Sequence, residues 1–278
     1  MSYAIVITTA GHENITKLLD ELEKTNIKIY IVTPDNLSIQ NKNIEIIKDQ
    51  GKGKGQALNF SIDKIKEDIL ILTDGDVYTN KKSIESLITK FDKNTGLVSG
   101  KIISLNDKNT RLGLWSHFLV FAANSLRLKK SQNKEFFEAT GYLFAFRKSL
   151  FKKIPKGMLS EDGYISYAVY KSDYELKYDP DAIVFVKFPK TFSDWIKQKR
   201  RATGGYKQGY IEKTNRSFIK EAYNGILLLF TYPSNIKEFV YLLLLFIARI
   251  YLWIRILIDI KIRKLPFEKM WIRIESTK

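Results

Sequence analysis

Along the first hundred residues, short β-branched and aliphatic runs alternate with longer runs whose apolar positions recur at helical spacing. Ala4 to Thr8 reads as a strand, Glu13 to Lys24 as a helix with Ile15, Leu18, Leu19 and Leu22 on one side, and Lys28 to Val32 as a second strand. Ile44 to Lys48 follows as a strand, Gln56 to Lys66 as a helix, and Ile69 to Leu72 as the most apolar strand. Ser83 to Phe91 then reads as a helix and Gly96 to Ile103 as a strand. This alternation predicts an α/β fold, a mostly parallel central sheet flanked by crossover helices. Beyond Ile103 the rhythm changes. An aromatic-rich segment, Leu114 to Leu128, precedes Phe136 to Phe146, and Glu161-Asp162 opens a further predicted helix. Trp195 falls on an amphipathic helix, where it is expected to act as an interfacial anchor. Two apolar stretches close the chain: Ile219 to Tyr232, broken by Pro233-Ser234-Asn235, and then Phe239 to Ile260, which has bilayer-spanning length. With no repeat or low-complexity tract, the expected partition is one domain over 1–215, its halves meeting near residue 105, and a helical tail over 216–278.

Composition narrows the chemistry. The 278 residues contain no cysteine and only two histidines, His12 and His117. A thiol nucleophile, a disulfide framework and a cysteine or histidine zinc cage are therefore excluded, and any metal is expected on oxygen ligands, as Mg²⁺, Mn²⁺ or Ca²⁺. The formal charge is +16, and from Ala182 onward there are about 19 basic against 7 acidic side chains. Basic and apolar character in the same third point to an anionic membrane surface as partner rather than nucleic acid.

Arg249, Arg255 and Asp259 inside the long apolar stretch are costly in hydrocarbon. A single crossing would also carry Lys261, Arg263, Lys264, Lys269, Arg273 and Lys278 outside, against the positive-inside tendency. The expectation is a helical hairpin lying in or dipping into the cytoplasmic leaflet rather than a true span. Tyr3 to Ile7 carry no basic leader or cleavage site, so no secretory signal is expected and the body is placed at the cell membrane on its cytoplasmic side.

In open α/β sheets ligands bind beyond the carboxyl ends of the strands. That rule gathers Thr8-Thr9-Ala10-Gly11-His12-Glu13, Pro34-Asp35, Gly51-Lys52-Gly53-Lys54-Gly55 and Asp74-Gly75-Asp76 at one crevice. Two carboxylates flanking a glycine can turn toward one hard cation and hold it against a pyrophosphate; the alternative is an ordinary Asp-Gly turn. The Gly51 to Gly55 run lacks the Walker A and dinucleotide-fold spacings, but glycines and lysines before a helix suit a phosphate, with a flexible polar loop as the alternative. His12 is read as a binding-turn side chain and His117 as a satisfied core or acceptor-site residue.

Five motifs stand in order: Gly53-Lys54-Gly55-Gln56-Ala57-Leu58-Asn59; Leu70 to Asp76; Ala139-Thr140-Gly141 through Arg147; Ser160-Glu161-Asp162; and Gln198-Lys199-Arg200-Arg201. Together they resemble the family 2 inverting glycosyltransferases of GT-A fold, in the cellulose-synthase-like and hyaluronan-synthase-like branch. The resemblance covers roughly residues 3 to 205. It implies a nucleotide-diphosphate sugar donor, a divalent cation (Mg²⁺ or Mn²⁺) and a hydroxyl acceptor on a lipid or lipid-linked glycan.

Residue by residue it implies Asp74 and Asp76 as metal and diphosphate ligands and Asp162 as the catalytic base. Donor contacts fall to Thr9, Ala10, Glu13, Asp35, Gly53, Lys54, Gln198 and Arg201, and acceptor contacts to Gly141 and Glu161. Thr9 stands at a usual proline, and Ala202 at the tryptophan of the last motif. Taken without the resemblance, Glu161-Asp162 could be a helix-capping pair, and Lys199 and Arg200 a solvated membrane-facing patch. The alternative functions are a polyprenyl-phosphate glycosyl transferase, whose acceptor needs no base, and a non-catalytic basic protein binding lipid or nucleic acid.

Overall fold

A computed structural model of the chain describes residues 1–10, 15–205, 228 and 230–264. Eight strands form one sheet: β1 (Tyr3–Thr8), β2 (Lys28–Thr33), β3 (Ile44–Lys48), β4 (Ile69–Asp74), β5 (Tyr78–Thr79), β6 (Thr95–Ser104), β7 (Leu143–Arg147) and β8 (Glu175–Val186). Among the described residues seven α-helices accompany them: α1 (Ile15–Leu22), α2 (Lys54–Ile62), α3 (Lys81–Thr89), α4 (Arg111–Gln132), α5 (Glu161–Lys171), α6 (Phe192–Gly205) and α7 (Ile236–Leu257). The strand order is β3-β2-β1-β4-β7-β6-β8-β5.

The period of two in the apolar strands becomes two cores, one on each face of the sheet. Ile5, Ile7, Ile29, Ile31, Ile69 and Ile71 pack on one side with Leu18 and Leu22 of α1 and Ile84 and Leu87 of α3. Their neighbours Ala4, Val6, Tyr30, Val32, Leu70 and Leu72 pack on the other with Leu58 and Ile62 of α2 and Ile165 and Val169 of α5. Burying both faces is why these strands read as continuous apolar runs.

Four strand pairings are parallel, β1–β2, β1–β4, β2–β3 and β6–β8, as the strand–helix alternation predicts. β7, however, enters antiparallel between β4 and β6, with Leu143 opposite Thr73. Its start therefore lies at the carboxyl end of β4. This reversal delivers Gly141 and Tyr142, the residues just before β7, to the edge where Asp74 stands.

Strand order reverses beside β1: the chain passes outward through β2 and β3, then returns to place β4 on β1's other side, with Thr8 in register with Asp74. Such a switch point opens a crevice at the strand ends.

A third cluster joins the C-terminal helix to the body. Trp115 and Phe118 of α4, Trp195 of α6 and Leu242, Leu245 and Ala248 of α7 are buried together. The Trp115 indole donates to the Tyr241 carbonyl at 2.6 Å.

Trp195 is thus not an interfacial anchor. It is 3% exposed, stacked on Phe192 and edge-on to Trp115. The periodicity of α6 located a buried face correctly, but that face meets protein. Arg200 is likewise no solvated patch residue, because its side chain, 13% exposed, pairs with Asp259. α7 carries the long apolar stretch and is, among the described residues, the one helix long and apolar enough to cross a membrane, with a third of that window covered by protein. Most of the Ile219 to Tyr232 segment lies outside the described residues.

Candidate active site

At the crevice, Lys54 opens α2. Gly53, with φ of +94°, makes the turn that lets the helix start there, and its carbonyl accepts from the Gln56 and Ala57 amides at 3.1 and 3.0 Å. The helix therefore begins two residues before the predicted Gln56. That shift brings the Lys54 side chain and the helix N-terminus to the strand ends.

Lys54 Nζ donates to Asp74 Oδ1 at 2.5 Å and to the Gly141 carbonyl at 3.0 Å. Asp74 also accepts from the Thr8 hydroxyl at 3.1 Å. Burial alone would lower the Lys54 pKa; Asp74, Glu161 and Asp162 together outweigh it and hold the ammonium above its ordinary range.

The Asp74-Gly75-Asp76 turn is tied to β1 by the Gly75 amide, which donates to the Thr8 carbonyl at 3.0 Å. A Cβ at Gly75 would run into Thr9, whose own Cβ lies 2.5 Å from that position. Glycine is required here by a close approach of two loops, not by a left-handed backbone. Asp76 keeps surface exposed at the crevice. Loss of surrounding water and the charge of Asp74 raise its carboxyl pKa, with Lys54 and Arg201 opposing.

Glu161 and Asp162 form the first turn of α5. A Cβ at Gly55 would touch Glu161 Cγ at 3.4 Å, and one at Gly141 would stand 3.0 Å from Asp162 Oδ2. Both acids are thereby brought against the Lys54 group. Desolvation raises the Glu161 pKa, with Lys54 opposing. The helix N-cap is Ser160, whose side chain makes no capping bond; its hydroxyl donates instead to Asp162 Oδ1 at 2.8 Å. On α6, Gln198 and Arg201 lie one turn apart. The Arg201 charge acts on Asp76, Glu161 and Tyr142, which puts its guanidinium at the same crevice. Gln198 Oε1 is buried without a hydrogen-bond partner.

Lys54, Asp74, Asp76, Gly141, Glu161, Asp162 and Arg201 are therefore assembled from five separate segments. Thr9 adjoins the group through Gly75, and its amide donates to the Val32 carbonyl at 3.0 Å, linking it to the end of β2. Asp35 stands just beyond β2, its amide accepted by the Thr33 hydroxyl at 3.2 Å. Ala10 is exposed at the rim. Glu13 and His12 lie outside the described residues. His117 is satisfied by the Asn106 carbonyl at 2.8 Å, which holds α4 to the loop after β6.

Thr8, placed at the crevice from sequence only as part of its segment, and Tyr142 were given no role by the sequence reading. Thr8 contacts Asp74 from the neighbouring strand, which only the register reveals. Tyr142 follows Gly141, and its phenol is held above the ordinary tyrosine range by desolvation, against the pull of Arg201. Its signal was its place beside a motif glycine. Asn59 takes a framework role: its amide group clamps Ile154 through two 2.8 Å hydrogen bonds and so anchors the segment leading toward α5.

The donor set suits one hard cation in part. Asp76 offers an exposed carboxylate crowded by Asp74, a repulsion that a divalent ion would relieve. Asp74 is already shared with Lys54 and Thr8. Among the described residues no cluster of three or more acidic or histidine ligands exists, so further oxygens would come from a bound diphosphate or water.

Comparison with known proteins agrees with this arrangement. A sequence profile described as "Glycosyl transferase family 2" matches residues 13–155. A Bacillus subtilis (strain 168) protein described as "Probable glycosyltransferase YdaM" is 28% identical over 162 residues, 56% of this chain and 38% of that protein. The poly-beta-1,6-N-acetyl-D-glucosamine synthase of Staphylococcus epidermidis is 24% identical over 210 residues, covering 73% of this chain and 47% of that one. The chain thus spans less than half the length of these curated relatives. Among solved structures, the mannosyltransferase PcManGT from Pyrobaculum calidifontis, in complex with GDP-Man and Mn²⁺, superposes with a TM-score of 0.56. It is 12% identical, and the match covers 96% of this chain and 83% of that one. The likeness is one of fold, the GT-A arrangement of mixed sheet and flanking helices.

Proposed function

We propose, from the premise that the chain belongs to glycosyl transferase family 2, that it moves a sugar with inversion from a nucleotide-diphosphate donor to a hydroxyl of a membrane lipid or lipid-linked glycan. The observation that carries this reading is the meeting of Lys54, Asp74 and Gly141 beside Asp162 at the β1–β4 switch point. That meeting sets a cationic diphosphate-binding wall against a carboxylate.

In-line displacement at an anomeric carbon needs a base on the attacking side and charge neutralisation on the leaving side. Asp162 takes the proton of the acceptor hydroxyl. Its Oδ1 is held by Ser160, and Oδ2 lies over Gly141, where the missing side chain leaves room for a substrate. Lys54 and Arg201 neutralise the departing diphosphate, Lys54 as a point charge and Arg201 as a two-pronged donor. The N-terminus of α2 adds its amides. Asp76, with Asp74, would hold Mg²⁺ or Mn²⁺, which when bound supplies further positive charge to the diphosphate oxygens. Thr9, Ala10, Glu13 and Asp35 are assigned to the nucleoside and Gln198 to the diphosphate, while Gly141 and Glu161 are assigned to the acceptor. The halves before and after residue 105 serve donor and acceptor in turn, and 216–278 serves as the tail.

The tail supports a lipid acceptor. Ile236, Val240, Leu243, Ile247, Ile254 and Leu257 are exposed along one face of α7, while the opposite face packs on the body. Such a helix lies in the plane of the cytoplasmic leaflet, aided by the basic charge of the C-terminal third. A screen of UDP- and GDP-sugars with Mn²⁺ or Mg²⁺ and a membrane-lipid extract tests the reading. Transfer to an extractable lipid is expected; donor turnover only onto water-soluble glycans would overturn the lipid assignment.

A further inference from the structure

Arg200 and Arg201 are adjacent on α6, and about 100° of helical rotation separates their directions. Arg201 acts on the crevice. Arg200 turns away from it, and its Nη2 meets Asp259 Oδ2 at 2.5 Å. Asp259 is fully buried and also accepts from Arg263 Nη1 at 3.3 Å, an arginine half exposed to solvent. It stands in a short π-helical stretch, Ile258–Ile262, that continues α7. Such stretches break the α register and often occur at functional sites.

The aromatic cluster around Trp195 fixes the first turns of α6, whereas the Arg200–Asp259 pair lies in its second half, next to Arg201. A buried carboxylate is tolerated when cations satisfy it, and breaking such a pair strands the remaining charge. Without Asp259, the Arg200 guanidinium, whose Nε already lacks a hydrogen-bond partner, would have to leave its place.

We propose that Asp259 is a positioning residue for the active site: through Arg200 it fixes the second half of α6 and so sets where Arg201 stands against Asp76 and Glu161. The tail helix thereby sets the geometry of the diphosphate site. This rests on the reading of Arg201 as a diphosphate partner.

The test uses the full chain in detergent micelles, titrated calorimetrically with UDP and with GDP in the presence of Mn²⁺. Arg201→Lys should weaken binding of whichever diphosphate the wild type takes, because lysine loses the fork. Asp259→Asn should weaken it by about fivefold or more, and the double variant should be no weaker than the worse single one within about twofold, since both act through one contact. Arg263→Gln, which removes the exposed cation and leaves α6 untouched, should bind within about twofold of wild type.

Wild-type affinity in Asp259→Asn beside a weakened Arg201→Lys overturns the coupling and spares the donor reading. Multiplying effects, or an equal loss in Arg263→Gln, assign Asp259 a merely structural role and overturn it too. If the wild type binds neither diphosphate, or Arg201→Lys binds normally, the underlying reading fails and the inference with it. Should Asp259→Asn not fold by thermal melt, Arg200→Lys carries the test with the same expected non-additivity, and unchanged affinity there overturns the proposal.

Discussion

Lys54 bridges the start of α2 and the end of β4, its ammonium 2.5 Å from Asp74 Oδ1 across twenty residues of chain. The bond joins the Gly-Lys run to the Asp-Gly-Asp turn, each ambiguous alone, at one crevice. Lys54→Ala is expected to weaken donor affinity by about 10- to 100-fold, the scale of one charge-assisted contact. Because the folded pKa of Lys54 is raised, its contribution is complete below the ordinary lysine value near 10.5 and fades only as pH rises past the folded value. Wild-type donor affinity should accordingly show no loss of the lysine contribution between about pH 7 and pH 9. Calorimetry at both pH values reads this, and a Lys54→Ala variant that binds donor as wild type does would dismiss the contact.

Asp76 is exposed and crowded by Asp74, the arrangement that a divalent cation relieves. Asp76→Ala should abolish the gain in sugar-nucleotide affinity that Mn²⁺ gives the wild type, leaving the metal-free affinity about unchanged. Titrations with Mn²⁺ and with a chelator decide it; a metal-dependent gain that persists in the variant removes Asp76 as a ligand.

Much of this architecture was legible because its causes are local. β1, β2 and β4 are buried on both faces, so their apolar runs announced them, and the carboxyl-end rule then placed Asp74 and Lys54 at one crevice. β8 was not legible. Asp179-Pro180-Asp181 interrupts it and reads as a turn, yet Asp179 is buried, accepting from the Ser86 hydroxyl at 2.6 Å, and the chain bulges there against β6. The antiparallel entry of β7 is equally silent in sequence, because strand direction depends on the long α4 excursion and not on the residues of Leu143–Arg147. Trp195 was misread, and the solvated-patch alternative for Arg200 fails, for a related reason. Amphipathic spacing reveals that a face is covered but not by what, and only the packing of α7 shows that protein covers it.

Lys199, between the site motif residues and the tail, is partly buried, and desolvation together with Arg249 brings its pKa down to about 8. A lysine depressed in the folded state opposes folding while charged: the penalty is full below about pH 8 and is relieved as pH rises from there toward the unfolded value near 10.5. Lys199→Met should therefore stabilise the chain at pH 7 by about 1 to 2 kcal/mol, discounted for partial exposure, which is a rise of about 2 to 8 °C in melting temperature. The advantage should shrink when the melts are repeated near pH 9.5. A variant that melts below wild type at pH 7 would place the Lys199 ammonium in a favourable contact instead.

Asp162 separates the readings of this site most sharply. A sugar hydroxyl is a weak nucleophile near neutral pH, so removing its proton in the transition state contributes about 10²- to 10⁴-fold, or about 3 to 5 kcal/mol. Asp162→Asn is nearly isosteric and keeps an oxygen able to accept from Ser160, whose hydroxyl donates to Asp162 Oδ1 at 2.8 Å. Local structure should survive, and donor affinity should stay within about twofold, because the proposed reading gives the diphosphate to Lys54 and Arg201 and not to α5. Turnover should fall by the full base contribution. A capping role predicts the reverse, since asparagine caps as well as aspartate and Ser160 already occupies the N-cap position. Single-turnover transfer measured beside donor affinity on this one variant decides between them. Transfer within about threefold of wild type would mean that the acceptor arrives already anionic, as a phosphate does, and would hand the function to a polyprenyl-phosphate acceptor.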